Sequence, residues 1–254
     1  MKQTKSQKQP DFSIVIPAYR EGKRIGKTLD ELASYLKNDS TMKKMLVEVL
    51  VVAANAPDNT DNEVLARNKK FDRLELLKPG PKVGKGRDVQ YGMLRTSGAA
   101  ALFMDADLAT PLWHIAQFYR EFERGGQVVV ATRNLGSHHP SRLRRAISNI
   151  GNILFRILGG VWIEDSQCGF KLFSTEANRK CFSRMSITGW GFDMEILAIA
   201  KTNGYEIKHF RVDDWVSVPE GTFLEGVLRS SFVSFMELLK IFLNRVGGKY
   251  RVQV

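Results

Sequence analysis

Ala99-Ala100-Ala101-Leu102-Phe103-Met104-Asp105-Ala106-Asp107 is the stretch from which the fold can be read. The apolar run Ala99–Met104 reads as a buried strand. The two acids therefore sit where a central strand runs out into a loop, and in an open α/β sheet the carboxyl ends of strands are where ligands bind. Two carboxylates one residue apart repel each other unless a cation lies between them. Hard divalent cations take oxygen ligands, and Mg²⁺ commonly joins one or two carboxylates to substrate phosphates. The pair Asp105 and Asp107 thus points to a metal–diphosphate site. The plain alternative is an acidic turn or helix cap, which Asp also suits. It would be the better reading of an isolated pair, but the strand before these acids and the motifs around them reverse that.

Moving outward, strand and helix patterns alternate. Phe12–Ile16 is a β-branched run closed by Pro17, and Arg24–Leu36 has helical spacing through Ile25, Leu29, Leu32, Ala33 and Leu36. Val47–Val52 and Leu74–Leu77 read as strands, and Thr60–Asn68 as a helix. Gly84-Lys85-Gly86 opens a helix over Asp88–Ser97, Pro111–Arg124 is a further helix, and Val128–Thr132 a further strand. This alternation is the signature of a mostly parallel sheet with helices on both faces, and continuous apolar strands agree with burial on both sides.

Beyond residue 133 the pattern changes. Arg142–Trp162 places Leu143, Ala146, Ile147, Ile150, Ile153, Leu154, Ile157, Leu158 and Val161 on one helical stripe, and Val227–Leu243 is a second amphipathic stretch followed by Arg245, Lys249 and Arg251. Apolar faces flanked by basic residues suit interfacial helices; packing on the sheet is the ordinary alternative. Residues 1–10 read as a flexible tail, 11–222 as a catalytic domain that includes the 142–162 helix, and 223–254 as a C-terminal amphipathic and basic segment.

The bulk properties narrow the function. The 254 residues are 43 % hydrophobic, which is globular, and 38 Lys and Arg against 27 acids give a formal charge of +11. That excess suggests a polyanionic partner: nucleic acid, an anionic membrane surface or phosphorylated substrates. Neither a helix-turn-helix nor an aromatic-basic ribonucleoprotein string occurs, so nucleic acid is not expected. Cys168 and Cys181 form no metal or disulfide framework. The polar, lysine-rich start lacks the apolar core of a signal peptide. No uncharged stretch, Ala146–Phe155 among them, approaches the ~20 residues needed to span a bilayer, so a soluble or surface-bound protein is expected.

Chemistry-bearing residues cluster after the strands. Tyr19 and Glu21 follow the first strand, where a ring can cover a base and an acid can bind ribose hydroxyls. Gly84-Lys85-Gly86-Arg87 offers backbone freedom beside two cations, suited to phosphate, although no Walker string exists. Arg133 follows a strand; Asp165–Lys171 is dense in polar groups. Gly189–Glu195 brings Asp193 and Glu195 beside Trp190 and Phe192, the combination of flat rings and carboxylates that a sugar site uses. His138 and His139 show no ligand spacing.

Ile16-Pro-Ala-Tyr-Arg-Glu21, Asp105-Ala-Asp107, Gln167-Cys-Gly-Phe-Lys-Leu-Phe173 and Trp190-Gly-Phe-Asp-Met-Glu195 occur in order and at suitable spacing. Together they resemble the family 2 inverting glycosyltransferases with the Rossmann-like GT-A fold. Within these, the similarity is greatest to dolichyl-phosphate β-glucosyltransferases, with dolichyl-phosphate mannose synthases next, and it covers roughly residues 11–245. The resemblance implies that Pro17, Tyr19 and Glu21 contact the nucleoside and that Lys85 lies near the base or diphosphate. It puts Asp105 and Asp107 on Mg²⁺ or Mn²⁺ and the donor, Arg133 and Lys171 toward phosphates, and Gln167 and Asp193 near the sugar and the attacking oxygen. One departure stands out. Where the family's second strand ends in an Asp pair that reads the base, this chain has Ala53-Ala54-Asn55, with Asn55 still able to hydrogen-bond a base and Asp58 able to fold back.

The expected activity is metal-dependent, inverting transfer of a hexose, most simply glucose. The donor would be a nucleotide sugar of the UDP-glucose or GDP-mannose kind, and the acceptor a polyprenyl or dolichyl phosphate. The enzyme would sit peripherally on the cytoplasmic face of a membrane. The rivals are transfer to a glycan or other hydroxyl, and a non-catalytic nucleotide-sugar-binding homologue.

Overall fold

A computed structural model describes residues 8–133, 153–154, 156–163, 165–216 and 224–251, with side chains of the last segment from 233 onward. Its strands are β1 (Phe12–Pro17), β2 (Val47–Val52), β3 (Arg73–Leu77), β4 (Ala100–Met104), β5 (Val128–Arg133), β6 (Phe170–Ser174) and β7 (Ile207–Val212). They form one sheet in the order β3-β2-β1-β4-β6-β5-β7. β1 pairs in parallel with β2 and β4, β2 with β3, and β5 with β7; β6 alone runs antiparallel, between β4 and β5. The sheet is mostly parallel, as the alternation of apolar runs and amphipathic helices predicts.

The strands are apolar throughout because both faces are covered. Side chains alternate from face to face along a strand. Val15, Phe103, Val128, Val130 and Phe173 join the core under α3 (Lys85–Met93), α5 (Thr175–Phe182), α6 (Phe192–Thr202) and α7 (Leu224–Val246). Their neighbours Ile14, Ile16, Leu102, Val129 and Leu172 join the opposite core, under α1 (Ile25–Asn38) and α4 (His114–Glu123). α1 buries Ile25, Leu29, Leu32 and Ala33, the spacing seen in its sequence. The short α2 (Thr60–Leu65) links β2 to β3.

The expected helix over Thr60–Asn68 ends at Leu65 and is followed by a 3₁₀ turn at Asn68–Lys70. The helix expected at Asp88–Ser97 starts earlier, at Lys85, and ends at Met93. The sequence pattern does not mark β6, β7 or α5 as elements; for Gly189–Glu195 a helix start with Asp193 near its N-terminus is the plain alternative to a sugar site, and α6 does begin at Phe192 with Asp193 in its first turn. Of the 142–162 stripe, only 153–154 and 156–163 are described, with 153–154 and 156–159 helical; Gly160, at φ +68°, follows them. His138 and His139 lie outside the described residues. α7 extends the expected 227–243 helix at both ends and buries Leu238 and Ile241, whereas Val233, Phe235, Met236, Leu243 and Val246 are exposed. Among the described residues no helix is long and apolar enough to cross a membrane.

Candidate active site

The loops that leave β1, β2 and β4 at their carboxyl ends carry most of the predicted residues. Past Pro17, Ala18 N donates to Val52 O at 2.8 Å, and Arg20 adopts φ +60°, uncommon for a side chain-bearing residue. The Tyr19 ring has Lys82 Nζ 4.1 Å and Arg20 Cζ 5.4 Å from its centroid, a flat surface already backed by cations. Asp58 folds back: Oδ2 accepts from Gly22 N at 3.0 Å, and Oδ1 from Thr60 Oγ1 at 2.7 Å. Thr60 Oγ1 in turn accepts from Glu21 N at 3.0 Å. A Cβ on Gly22 would sit 2.9 Å from Asp58 Oδ2, so a side chain there would push the two loops apart. Asp58 thus clamps the first loop, and Asn55, exposed and tied through its backbone N to Gly80 O at 2.9 Å, lies in the loop that follows β2.

Asp105 and Asp107 flank buried Ala106 at the exit of β4. Asp105 N donates to Gly169 O at 3.1 Å, and a Cβ on Gly169 would lie 2.1 Å from Asp105 Oδ2; the glycine makes the space that carboxylate occupies. Asp107 Oδ1 accepts from Ala109 N at 3.0 Å across Leu108, which is held at φ +56°. Burial pushes the Glu21 carboxyl above its usual range; nearby Arg24 pulls it down, and Asp107, Asp105 and Asp58 push it up again. Glu21 Oε2 lies 2.7 Å from Arg24 Nε. Four carboxyls, Glu21, Asp58, Asp105 and Asp107, therefore share one electrostatic neighbourhood. Among the described residues no three His, Cys, Asp or Glu side chains converge into a closed cage. A pair of partly exposed carboxylates fits a hard divalent cation that completes its shell with substrate phosphate and water.

Opposite the pair, Lys85 Nζ lies 2.6 Å from Asp105 Oδ1 and 5.0 Å from the Trp190 ring centroid. Burial lowers the affinity of that amine for its proton, but Asp105, Asp193 and Asp107 more than offset it, so its pKa is raised. Gly84 and Gly86 are glycines for a packing reason: Cβ atoms there would meet Thr188 O at 2.3 Å and Ile187 O at 2.8 Å. The basic turn is thereby pressed against the 187–192 segment that leads into Asp193.

Asp193 stands in the first turn of α6, fully buried, and pairs with Lys171 Nζ from β6; the same ammonium donates to Cys168 O at 2.6 Å. Burial raises the Asp193 pKa, and Lys171 and Lys85 only partly compensate. Arg133 makes a two-pronged pair with buried Asp165, at 2.5 and 2.9 Å, under the Trp215 ring 5.0 Å away; burial pulls the guanidinium pKa down, but the Asp165 carboxylate more than offsets this and raises it. Arg133 and Lys171, expected to face phosphates, are thus each engaged by a carboxylate. Gln167 is exposed, with its N donating to Asp165 Oδ1 at 3.2 Å. Glu195 separates from Asp193: it accepts from Ser186 N and Oγ, Ile187 N and Tyr250 OH at 2.7–2.8 Å and supports the loop from behind. Sequence reasoning missed Glu237 on α7, whose Oε2 accepts from Gly191 N at 2.9 Å. One Glu in an amphipathic run carries no signal of that role.

The mostly parallel sheet thus carries an Asp-x-Asp at a strand end and, across a lysine, a further acid. Residues 13–182 match the family described as Glycosyl transferase family 2, so the chain belongs to that family and is a glycosyltransferase. Among its relatives are two dolichyl-phosphate beta-glucosyltransferases of Trichomonas vaginalis. ALG5A is 31 % identical over 246 residues, covering 93 % of this chain and 75 % of that one, and ALG5C is 33 % identical over 252 residues, covering 95 % and 73 %. The Homo sapiens dolichyl-phosphate beta-glucosyltransferase is 28 % identical over 263 residues, covering 95 % and 78 %. The same fold occurs in glucosyl-3-phosphoglycerate synthase of Mycobacterium tuberculosis. Its complex with Mn²⁺, uridine diphosphate and phosphoglyceric acid has a TM-score of 0.66 at 19 % identity, covering 92 % of this chain and 78 % of that one. Its complex with Mg²⁺ and uridine diphosphate also has a TM-score of 0.66 at 19 % identity, with coverage of 94 % and 80 %.

Proposed function

We propose that this glycosyltransferase moves glucose, with inversion, from a uridine diphosphate sugar to a dolichyl or polyprenyl phosphate at the cytoplasmic surface of a membrane. The observation that carries the reading is the meeting, through Lys85, of the Asp105–Asp107 pair with the Trp190–Asp193 segment. The donor diphosphate and the acceptor then have separate, adjoining sides. The choice of acceptor follows the relatives, which are named for dolichyl phosphate and match this chain over 93–95 % of its length.

Pro17, Tyr19, Glu21 and Asn55 bind the nucleoside end. Asp105 and Asp107 would hold Mg²⁺ or Mn²⁺, which supplies Lewis-acid stabilisation of the departing diphosphate. Lys85 adds a fixed positive charge on the same side. The attacking group is a phosphate monoester with a second pKa of about 6, already an anion near neutrality, so no strong base is required. Asp193, oriented by Lys171, positions the acceptor and the sugar. Arg133 and Asp165 brace the wall under Gln167. The +11 charge and the exposed Ile153, Ile157 and α7 side chains provide the face toward an anionic membrane.

The test is a transfer assay with uridine diphosphate glucose and a short polyprenyl phosphate. Asp107→Asn is expected to lower turnover ~100-fold or more, because a neutral amide leaves the cation under-ligated. Undiminished turnover in EDTA removes the metal from the reading. Transfer to a hydroxyl acceptor alone, with Asp193→Ala abolishing it, replaces the phosphate acceptor by one that needs a base.

A further inference from the structure

Lys85 is placed for more than holding a phosphate. Its ammonium is 2.6 Å from Asp105 Oδ1, is mostly buried, and rests 5.0 Å from the ring of Trp190, itself two-thirds exposed. The surrounding carboxylates of Asp105, Asp193 and Asp107 all favour the cation. The backbone cannot carry it away, because Gly84 and Gly86 are seated on Thr188 O and Ile187 O. Only the four-carbon side chain can move, and it pivots from the first residue of α3.

From this geometry we infer that Lys85 is an internal counter-cation for Asp105 that a divalent metal must displace, so that metal and nucleotide diphosphate bind cooperatively. The inference rests on the Asp105–Asp107 pair being the metal site. One ammonium and one metal ion cannot both approach the same Asp105 oxygen, since like charges at that distance repel strongly. A metal ion arriving alone evicts the ammonium from its one ion pair while it is still mostly buried, which is costly. A metal ion arriving with a diphosphate gives the evicted ammonium new oxygens within a side-chain swing. Each ligand thus removes a cost the other would face, and the coupling is reciprocal. Trp190 reports the swing, because the ammonium leaves the vicinity of its ring.

Mn²⁺ binding to the full chain, followed by the electron paramagnetic resonance of free Mn²⁺ with and without uridine diphosphate, tests this. In the wild type, uridine diphosphate is expected to tighten Mn²⁺ binding about tenfold or more, within the usual span of coupling between sites. Lys85→Met is expected to bind Mn²⁺ alone several-fold more tightly than the wild type, with the coupling to uridine diphosphate shrinking toward none. A second measurement does not depend on that variant folding. Mn²⁺ with uridine diphosphate should change the tryptophan fluorescence of the wild type, and Trp190→Phe should remove most of that change. Equal or weaker Mn²⁺ binding by a folded Lys85→Met, unchanged coupling, or a fluorescence change that survives Trp190→Phe overturns the counter-cation role while leaving the metal site standing. No Mn²⁺ binding by the wild type, with or without nucleotide, overturns the metal site and this inference together.

Discussion

Asp88 is nearly buried on α3, and its Oδ1 has no hydrogen-bond partner among the described residues. Burial pushes its pKa up to about 6, against weaker pulls from Arg87 and Lys82. A raised carboxyl favours the folded state fully below its unfolded pKa of about 4, and this contribution disappears as pH rises through about 6. Asp88→Asn is therefore expected to raise the melting temperature at pH 7.5, by about 2–4 °C for each kcal/mol recovered, and to change little at pH 4. Paired thermal melts at the two pH values check it; an equal shift at both removes the charge from the explanation. Single residues were legible where their chemistry was unusual in the sequence itself. Asp105 and Asp107 announced themselves as a repelling pair after an apolar run. The partners of Asp193 and Arg133 did not, because Lys171 and Asp165 reach them only once β6 is in the sheet. Cations read as facing substrate thus have carboxylate partners instead.

At the scale of elements, β1, β2, β4 and β5 were visible as continuous apolar strings, a direct result of burial on both faces. β6 was hidden by Lys171, which breaks the string and is nevertheless buried because its ammonium is fully partnered. The start of α6 near Asp193 was readable, but its length was hidden for the opposite reason: burial on nearly every side from Phe192 to Ala200 erases helical periodicity. β7 has lysine, histidine and arginine on a sheet edge, where charge guards against further pairing but weakens the strand pattern. α7 was visible, but its function toward the site was not. Through Glu237 it places a carboxylate at the N-terminus of α6, where helix dipole and free N–H groups favour a negative charge. Glu237→Ala should cost about 1 kcal/mol of stability. It should also lower kcat with the KM for donor unchanged, since Asp193 sits in the first turn that Glu237 steadies. Melts and steady-state kinetics on the same preparation check both, and a change confined to donor KM would count against the link.

At the scale of the molecule, charge and exposed apolar side chains act together. Ile153 and Ile157 are 53 % and 61 % exposed, whereas Leu154 and Leu158, on the same stretch, pack against the core. The stripe read from sequence as one face is therefore divided between the protein and its surroundings. Ile153→Ser with Ile157→Ser is expected to weaken co-sedimentation with anionic vesicles without moving the melting temperature. Leu154→Ser should lower the melting temperature, in keeping with the ~2–4 kcal/mol of stability that a lost core contact costs. Vesicle binding by the wild type should fall as salt rises; a wild type that stays in the supernatant at low salt removes the membrane from the reading. The antiparallel β6 has a different consequence, for how the chain is made. β5 is synthesised before β6, yet its sheet neighbours are β6 and β7, and β6 is what joins it to β4. A ribosome that has finished β5 has produced four strands that can assemble and a fifth that must wait, with β4 an open edge until Ser174 has emerged. Nascent chains halted between these points should demand chaperones and aggregate when released, whereas chains halted beyond β7 should not.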